Sequence, residues 1–299
     1  MRQMPYAKGM MAGGQARIRA LLFQVLALTA LAVFLSIPAL AQNNDVLRIS
    51  GATTIQPMVE QLAEEFRERS GQSIRIEGGG SLTGAMAALE GTAHIGMVSR
   101  ALSEEEKERL EYETIGMDVL VIIVNSRNPL QEVDKQTVVD LFTGRIMNWN
   151  DLTSWNRDVV LVNKEMGRST LELFEAYSGV YHRDNPEDGP NGRVAAQAYE
   201  IASNMDGATL VGGIPGAVGY MSLGTSLYLL DKGMPIKILA LDGHDPIAGN
   251  VLAGGYPIVR ELNLVYLKHN ESKITPFLDF CRSPRGREVV REFKYLFVD

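Results

Sequence analysis

The chain has 299 residues, a formal net charge of −7 at neutral pH, four histidines and a single cysteine. That length holds one large core or two lobes, and the acidic balance argues against a surface built to bind nucleic acid or anionic lipid. One thiol excludes an internal disulfide framework. Cys281 sits on an apolar-periodic stretch and reads as a buried, inert group.

Lys8, Arg17 and Arg19 precede an apolar run over residues 20–34, and Ala39-Leu40-Ala41 supplies a small-x-small pattern. Residues 1–41 therefore read as a secretory signal peptide cut before Gln42, with a retained anchor as the alternative. No cysteine lies near the cut, which argues against a lipid anchor. No second apolar run approaches the roughly 18–20 residues of a spanning helix. The leader carries four basic and no acidic residues, so without it the net charge falls from −7 to −11. An anion site on such a protein must work through local donors.

Residues 45–50 alternate as a short strand, followed by the small, hydroxyl-rich turn Gly51-Ala52-Thr53-Thr54. Pro57 opens a helix with Met58, Leu62 and Phe66 on one face, and Gly71 stops it. A second strand over 73–76 runs into Glu77-Gly78-Gly79-Gly80-Ser81. Here Ser81 is expected to cap a helix whose apolar face is Leu82, Ala85, Met86 and Leu89. A glycine-rich turn opening a helix brings backbone N–H groups and a positive dipole end to an anion. Residues 93–98 form a third strand ending at Ser99-Arg100, and Ser103 with Glu106 forms a capping box. Residues 118–124 are a β-branched run, the pattern of a strand buried on both faces of a parallel sheet.

Residues 125–129 read as a crossover, Asp134 as a helix cap, and residues 159–162 as a strand. That strand leads into Lys164-Glu165-Met166-Gly167-Arg168-Ser169-Thr170 and another helix, a fourth unit of strand, polar turn and helix. Residues 181–191 read as an exposed loop, 194–204 as a helix, 212–220 and 236–240 as strands, and 262–267 as a strand returning to the first lobe. Strands alternating with helices give an α/β architecture, with ligands expected beyond the strands' carboxyl ends. The histidines (His94, His182, His244, His269) show no metal-ligand spacing, and there is no nucleophile elbow or zinc-protease motif. The sequence therefore predicts no catalytic residue, metal or cofactor, and a secreted hydrolase is weighed and set aside.

The chain resembles the periplasmic substrate-binding proteins of phosphate-type ABC importers. The resemblance rests on GATTIQP (51–57), EGGGSLTGAM (77–86), AHIGMVSRALSEEE (93–106), VDLFTGRIMNW (139–149), KEMGRSTLELFE (164–175) and PGAVGYMSLG (215–224), in that order. It implies the type II periplasmic-binding-protein fold: two α/β lobes, each a mixed, mostly parallel sheet flanked by helices, joined by two hinge strands. Lobe 1 would be residues 42–124 plus 246–299 and lobe 2 residues 125–245. The implied phosphate contacts are Thr53, Thr54, Ser81, Ser99, Arg100, Lys164, Arg168, Ser169 and Thr170. The implied protein is a periplasmic monomer that delivers an oxyanion to an ABC permease in the inner membrane, with no nucleic-acid partner.

Three positions depart from the family pattern. Lys164 replaces a common arginine, Arg168 stands within the usual G-S-G-T turn, and Arg100 replaces a proton-accepting aspartate. They leave sulfate, molybdate or tungstate as alternative ligands, and a sensor or scavenger without a transporter as an alternative role.

Overall fold

The computed structural model describes residues 46–247, 251 and 254–296; the signal-peptide reading of residues 1–41 lies outside them. The chain opens with β1 (Leu47–Gly51), α1 (Gln56–Ser70), β2 (Ile74–Gly78), α2 (Ser81–Leu89), β3 (Ile95–Val98) and the short α3 (Glu104–Arg109). Strands β1, β2 and β3 pair in parallel, because each is followed by a helix or turn that returns the chain to the same end of the sheet. Pro57 lies in the first turn of α1, and Gly71 ends that helix with φ 72°. The Ser103–Glu106 capping box forms as the spacing predicts.

The centre of the sheet is β4 (Glu111–Asn125), a strand of 15 residues. Over Glu111–Val119 it pairs with β13 (Val259–Tyr266), and over Leu120–Val124 with β10 (Ala217–Ser222). Both pairings are antiparallel, as is that with β11 (Ile236–Ile238). The run 118–124 is thus a buried strand, but its neighbours are not parallel ones: two-sided burial alone produced the apolar pattern. The passage from one group of strands to the other falls inside β4, at Val119–Leu120, ahead of residues 125–129.

Beyond β10 the sheet continues in parallel with β6 (Val160–Lys164) and β9 (Tyr199–Ile201). The full order is β2-β1-β3-β13-β4-β10-β6-β9, with β11 also on β4. Helices α4 (Lys135–Phe142), α5 (Ser169–Ser178), α6 (Asn204–Gly213) and α7 (Leu223–Asp231) cover the second group, and α8 (Glu271–Arg282) and α9 (Pro284–Glu292) return to the first. Short strands β5 (Glu132–Val133) and β12 (Ala240–Leu241) form a separate pair, as do β7 (Val180–Tyr181) and β8 (Gly192–Arg193). No helix among the described residues is long and apolar enough to cross a membrane.

Two main apolar cores follow. One joins Leu47, Ile49, Met58, Leu62, Phe66, Leu264 and Phe277. The other takes Val119–Val124 of β4 together with Phe142, Trp149, Phe174 and Tyr220. In the second core Phe174 stacks on Tyr220 at 4.2 Å and meets Phe142 at 4.6 Å. Phe174 also fixes α5, so Phe174→Ala should lower unfolding stability in urea by about 3–5 kcal/mol.

Three local readings are corrected. The helix expected over 194–204 does not form: residues 194–203 hold no helix and β9 lies there, because pairing with β6 overrides the helix propensity of an alanine-rich stretch. The strand expected over 212–220 begins only at Ala217, since α6 runs to Gly213. Ser81 does not cap α2. Gly80, at φ 130°, holds the cap position and Ser81 is the first helical residue. The buried face of α2 is Ser81, Gly84, Ala85 and Ala88, while Leu82 and Met86 are about half exposed. A Cβ on Gly84 would meet the Met97 carbonyl at 2.5 Å. The helix lies too close to the sheet for its larger residues to face inward.

Candidate functional site

Four polar turns at the ends of strands converge between the two groups of strands. One small cavity is lined by Ala52, Thr53, Thr54 and Gly80 from the first lobe, and by Lys164, Arg168, Ser169, Thr170, Ala202 and Asn204 from the second. Among the described residues no carboxylate lines it. On a chain with a net negative charge this is a local inversion of sign.

Helix starts explain the chemistry of the lining. Among the described helices, α3, α4, α6, α7 and α9 have a side chain hydrogen-bonded to their first turn. Helices α1, α2, α5 and α8 have none, and the first three of these begin at the cavity. Their leading N–H groups therefore carry no local side-chain acceptor, and each adds the positive end of a helix dipole. An oxyanion would act as the common cap.

Hydroxyl groups link the walls. The Ser99 amide donates to Ser81 Oγ at 2.9 Å, which leaves the Ser81 proton free to be donated elsewhere. Ser99 Oγ lies 2.7 Å from Ser169 Oγ, across the two lobes. Asn204 Nδ2 donates to Thr54 Oγ1 at 3.4 Å, and Tyr295 donates its hydroxyl proton to the Thr54 carbonyl at 2.6 Å. Of the residues expected at the site, Thr53, Thr54, Lys164, Arg168, Ser169 and Thr170 line the cavity. Ser81 and Ser99 are fully buried behind it, joined to Ser169.

The three cations are held differently. Lys164 is 2% exposed, and its ammonium donates to the Ser203 carbonyl at 2.8 Å. Burial lowers its pKa to about 7, and the neighbouring Arg260 pushes the same way. Arg168 donates to the Gly79 carbonyl of the opposite lobe and pairs with Glu165 at 2.9 Å. Arg100 is turned away from the cavity. Its guanidinium takes Glu106 bidentately at 2.7 and 2.8 Å and reaches Glu172 of α5 at 3.1 Å. The Glu106 hydrogen bonds raise the Arg100 pKa and lower that of Glu106 in return. Arg100 is thus a bridge between the lobes through Glu172.

Sequence reasoning missed Ala202 and Asn204, which the helix expected over 194–204 had hidden. It also missed the buried pair Arg260–Asp118 behind Thr170, although a charge inside each of two apolar strands was a signal that they meet. One further correction concerns the histidines. Ligand atoms of His182, Asp184 and Glu200 come within 4.8 Å of one another. Arg183 holds Glu200 at 2.5 Å, and His182 Nδ1 accepts from the Asp184 amide at 3.1 Å. A guanidinium therefore already stands where a cation would.

Comparison with known proteins places this geometry. A family model described as a PBP superfamily domain matches residues 38–285. The chain belongs to the PBP superfamily. Within it, a Clostridium perfringens protein crystallised with bound phosphate, and assigned to phosphate ABC transport as a substrate-binding protein, has a TM-score of 0.74 and 28% identity. That match covers 85% of this chain and all of the other. An ABC-type phosphate transport receptor from Vibrio cholerae has a TM-score of 0.67 and 26% identity, covering 84% of this chain and all of its own. The phosphate-binding protein PstS of Bacillus subtilis is 29% identical over 243 residues, 79% of this chain and 75% of its own. The two-lobed α/β architecture of this PBP superfamily member is the type II form expected from the sequence.

Proposed function

We propose that this chain is an extracytoplasmic solute-binding protein that captures inorganic phosphate between its two lobes and delivers it to an ABC importer. The observation that carries the reading is the meeting of three helix N-termini without side-chain caps around a cavity lined by Lys164 and Arg168 and by no carboxylate. Relatives named for phosphate binding and transport, one of them holding phosphate, support the choice of anion.

In this reading Thr53 and Thr54 receive the anion on the first lobe, with Ser81 and Ser99 supporting the wall behind them through Ser169. The turn from Lys164 to Thr170 then closes over it, with backbone N–H groups, hydroxyls and the ammonium as donors. Arg100 contributes through the Glu172 bridge rather than by touching the ligand. The protein binds and releases rather than transforms its ligand, acts as a monomer in the periplasm, and presents the closed form to a membrane permease.

Thermal melting of residues 42–299 against phosphate, arsenate, sulfate, molybdate and tungstate tests the reading. Ligand at about a thousand times its dissociation constant adds about 4 kcal/mol, a rise of roughly 10 °C for a protein of this size. A rise with phosphate and arsenate alone is the expected result. The absence of an acceptor carboxylate from the lining favours a second reading, a binder of fully ionised sulfate. A rise with sulfate alone would establish that one instead.

A further inference from the structure

Behind the cavity wall lies an ion pair that no expectation from the sequence included. Arg260 of β13 and Asp118 of β4 are register partners, with side chains 0% and 1% exposed. They stand one residue before β4 passes from the first group of strands to the second. Arg260 Nε and Nη2 both donate to Asp118 Oδ2, at 3.0 and 2.7 Å. Asp118 Oδ1 accepts from the Gly224 amide at the start of α7, at 3.1 Å. The carboxylate is therefore engaged on both oxygens. The remaining arm of the guanidinium, Nη1, donates to Thr170 Oγ1 at 3.0 Å.

That last bond decides the state of a cavity residue. A hydroxyl has one proton to give and two lone pairs. Because a guanidinium can only donate, Thr170 Oγ1 must accept from Arg260, and its own proton has to point elsewhere. Thr170 lines the cavity, so that proton is available to an anion placed there. Arg260 is rigidly forked, and Asp118 fixes it to β4, the strand that passes from the first group of strands to the second.

We infer that Arg260, anchored by Asp118, is a positioning residue of the anion site, which makes the Thr170 hydroxyl an obligate donor to the anion and ties that donor to β4, the strand that passes between the two groups. The inference rests on the phosphate reading above. It assigns the selectivity of this wall to a pair that never touches the ligand: a Thr170 held as donor favours an acceptor oxygen and offers nothing to a P–OH proton.

A double-mutant cycle on phosphate affinity tests it, using titration calorimetry at pH 7. Thr170→Val should weaken binding about tenfold to a hundredfold, the loss of one hydrogen bond to a charged group, and Thr170→Ser should restore most of it. Arg260→Lys keeps a cation but loses the fork, and should weaken binding about tenfold in the wild-type background. In the Thr170→Val background it should change affinity less than twofold, because the donor it orients is already gone. Should Arg260→Lys fail to fold, the Asp118→Asn/Arg260→Gln pair removes both buried charges together and enters the same cycle. Equal losses from the Arg260 change in both backgrounds, or no loss in the wild type, would overturn the inference. A wild-type protein that leaves phosphate unbound overturns the phosphate reading and the inference with it. Bound phosphate with an indifferent Arg260 overturns the inference alone.

Discussion

Phosphate affinity should fall about tenfold for each pH unit above 8, while the unliganded protein becomes more stable over the same range. Both trends come from Lys164. Its ammonium is buried and bonded to the Ser203 carbonyl. Arg260 and Arg168 oppose its charge, while Asp206 and Glu165 favour it, and the pKa is lowered to about 7. Above that value the empty site holds a neutral amine, so a phosphate dianion must bring a proton in with it, and apparent affinity drops as protons become scarce. The sign for stability is opposite. An unfolded lysine keeps its proton up to about pH 10.4. Between about 7 and that value the unfolded chain binds more protons than the native one, and unfolding free energy rises with pH.

Titrations between pH 8 and 9.5, where phosphate is already a dianion, isolate the protein's contribution. Repeating them in buffers of different ionisation enthalpy should give close to one proton taken up per phosphate. Lys164→Arg keeps its charge throughout and should flatten the profile. Lys164→Met should lower affinity at pH 7 and also be flat. An unchanged slope in either variant would remove Lys164 from the site.

The second large effect is expected at Gly80. Its φ of 130° is a conformation that a side chain rarely adopts. A Cβ there would meet the Gly167 carbonyl of the opposite lobe at 2.7 Å. Gly80→Ala should therefore hold the lobes apart. Since Arg168 to Gly79 and Ser99 to Ser169 both need the closed approach, phosphate affinity should fall at least a hundredfold. Small-angle scattering should lose any compaction on adding phosphate. Compaction and affinity retained together would mean that the turn yields elsewhere.

Much of the site was legible because its parts are local. Gly71, the Ser103–Glu106 box and Asp134 set helix ends within a few residues of chain, and the four polar turns follow directly from strand and helix periodicity. What stayed hidden depends on distant pairing. Strand β9 (Tyr199–Ile201) sits inside an alanine-rich stretch and forms because β6 offers it a ladder. The first half of β4, Glu111–Met117, is rich in polar residues and became visible only beside β13. Arg100 sits at a strand end like a ligand residue, yet Glu106 and Glu172 claim its donors, and only the folded arrangement reveals the competition. The face of α2 was misread because Gly84 lets the helix approach the sheet more closely than its Leu82 and Met86 can follow.

The order of the sheet also sets a timetable. Strand β13 lies between β3 and β4, and pairs Asn263 with Val98 and Tyr266 with Glu111. It is the last strand among the described residues, separated from both neighbours by about half the length of the protein. Until it arrives, β3 and the first half of β4 present two unpaired edges, and the core around Leu264 and Phe277 lacks members that come later still. The nascent chain therefore cannot finish its first lobe early, and long-range closure of this kind is slow. A chain ending before Val259 should be left with open strand edges and a tendency to associate through them. The second group of strands does not wait for β13: β10, β6, β9, β11 and the second half of β4 are all complete by Ile238, so the protein should acquire that half first and its first lobe only at the end of synthesis.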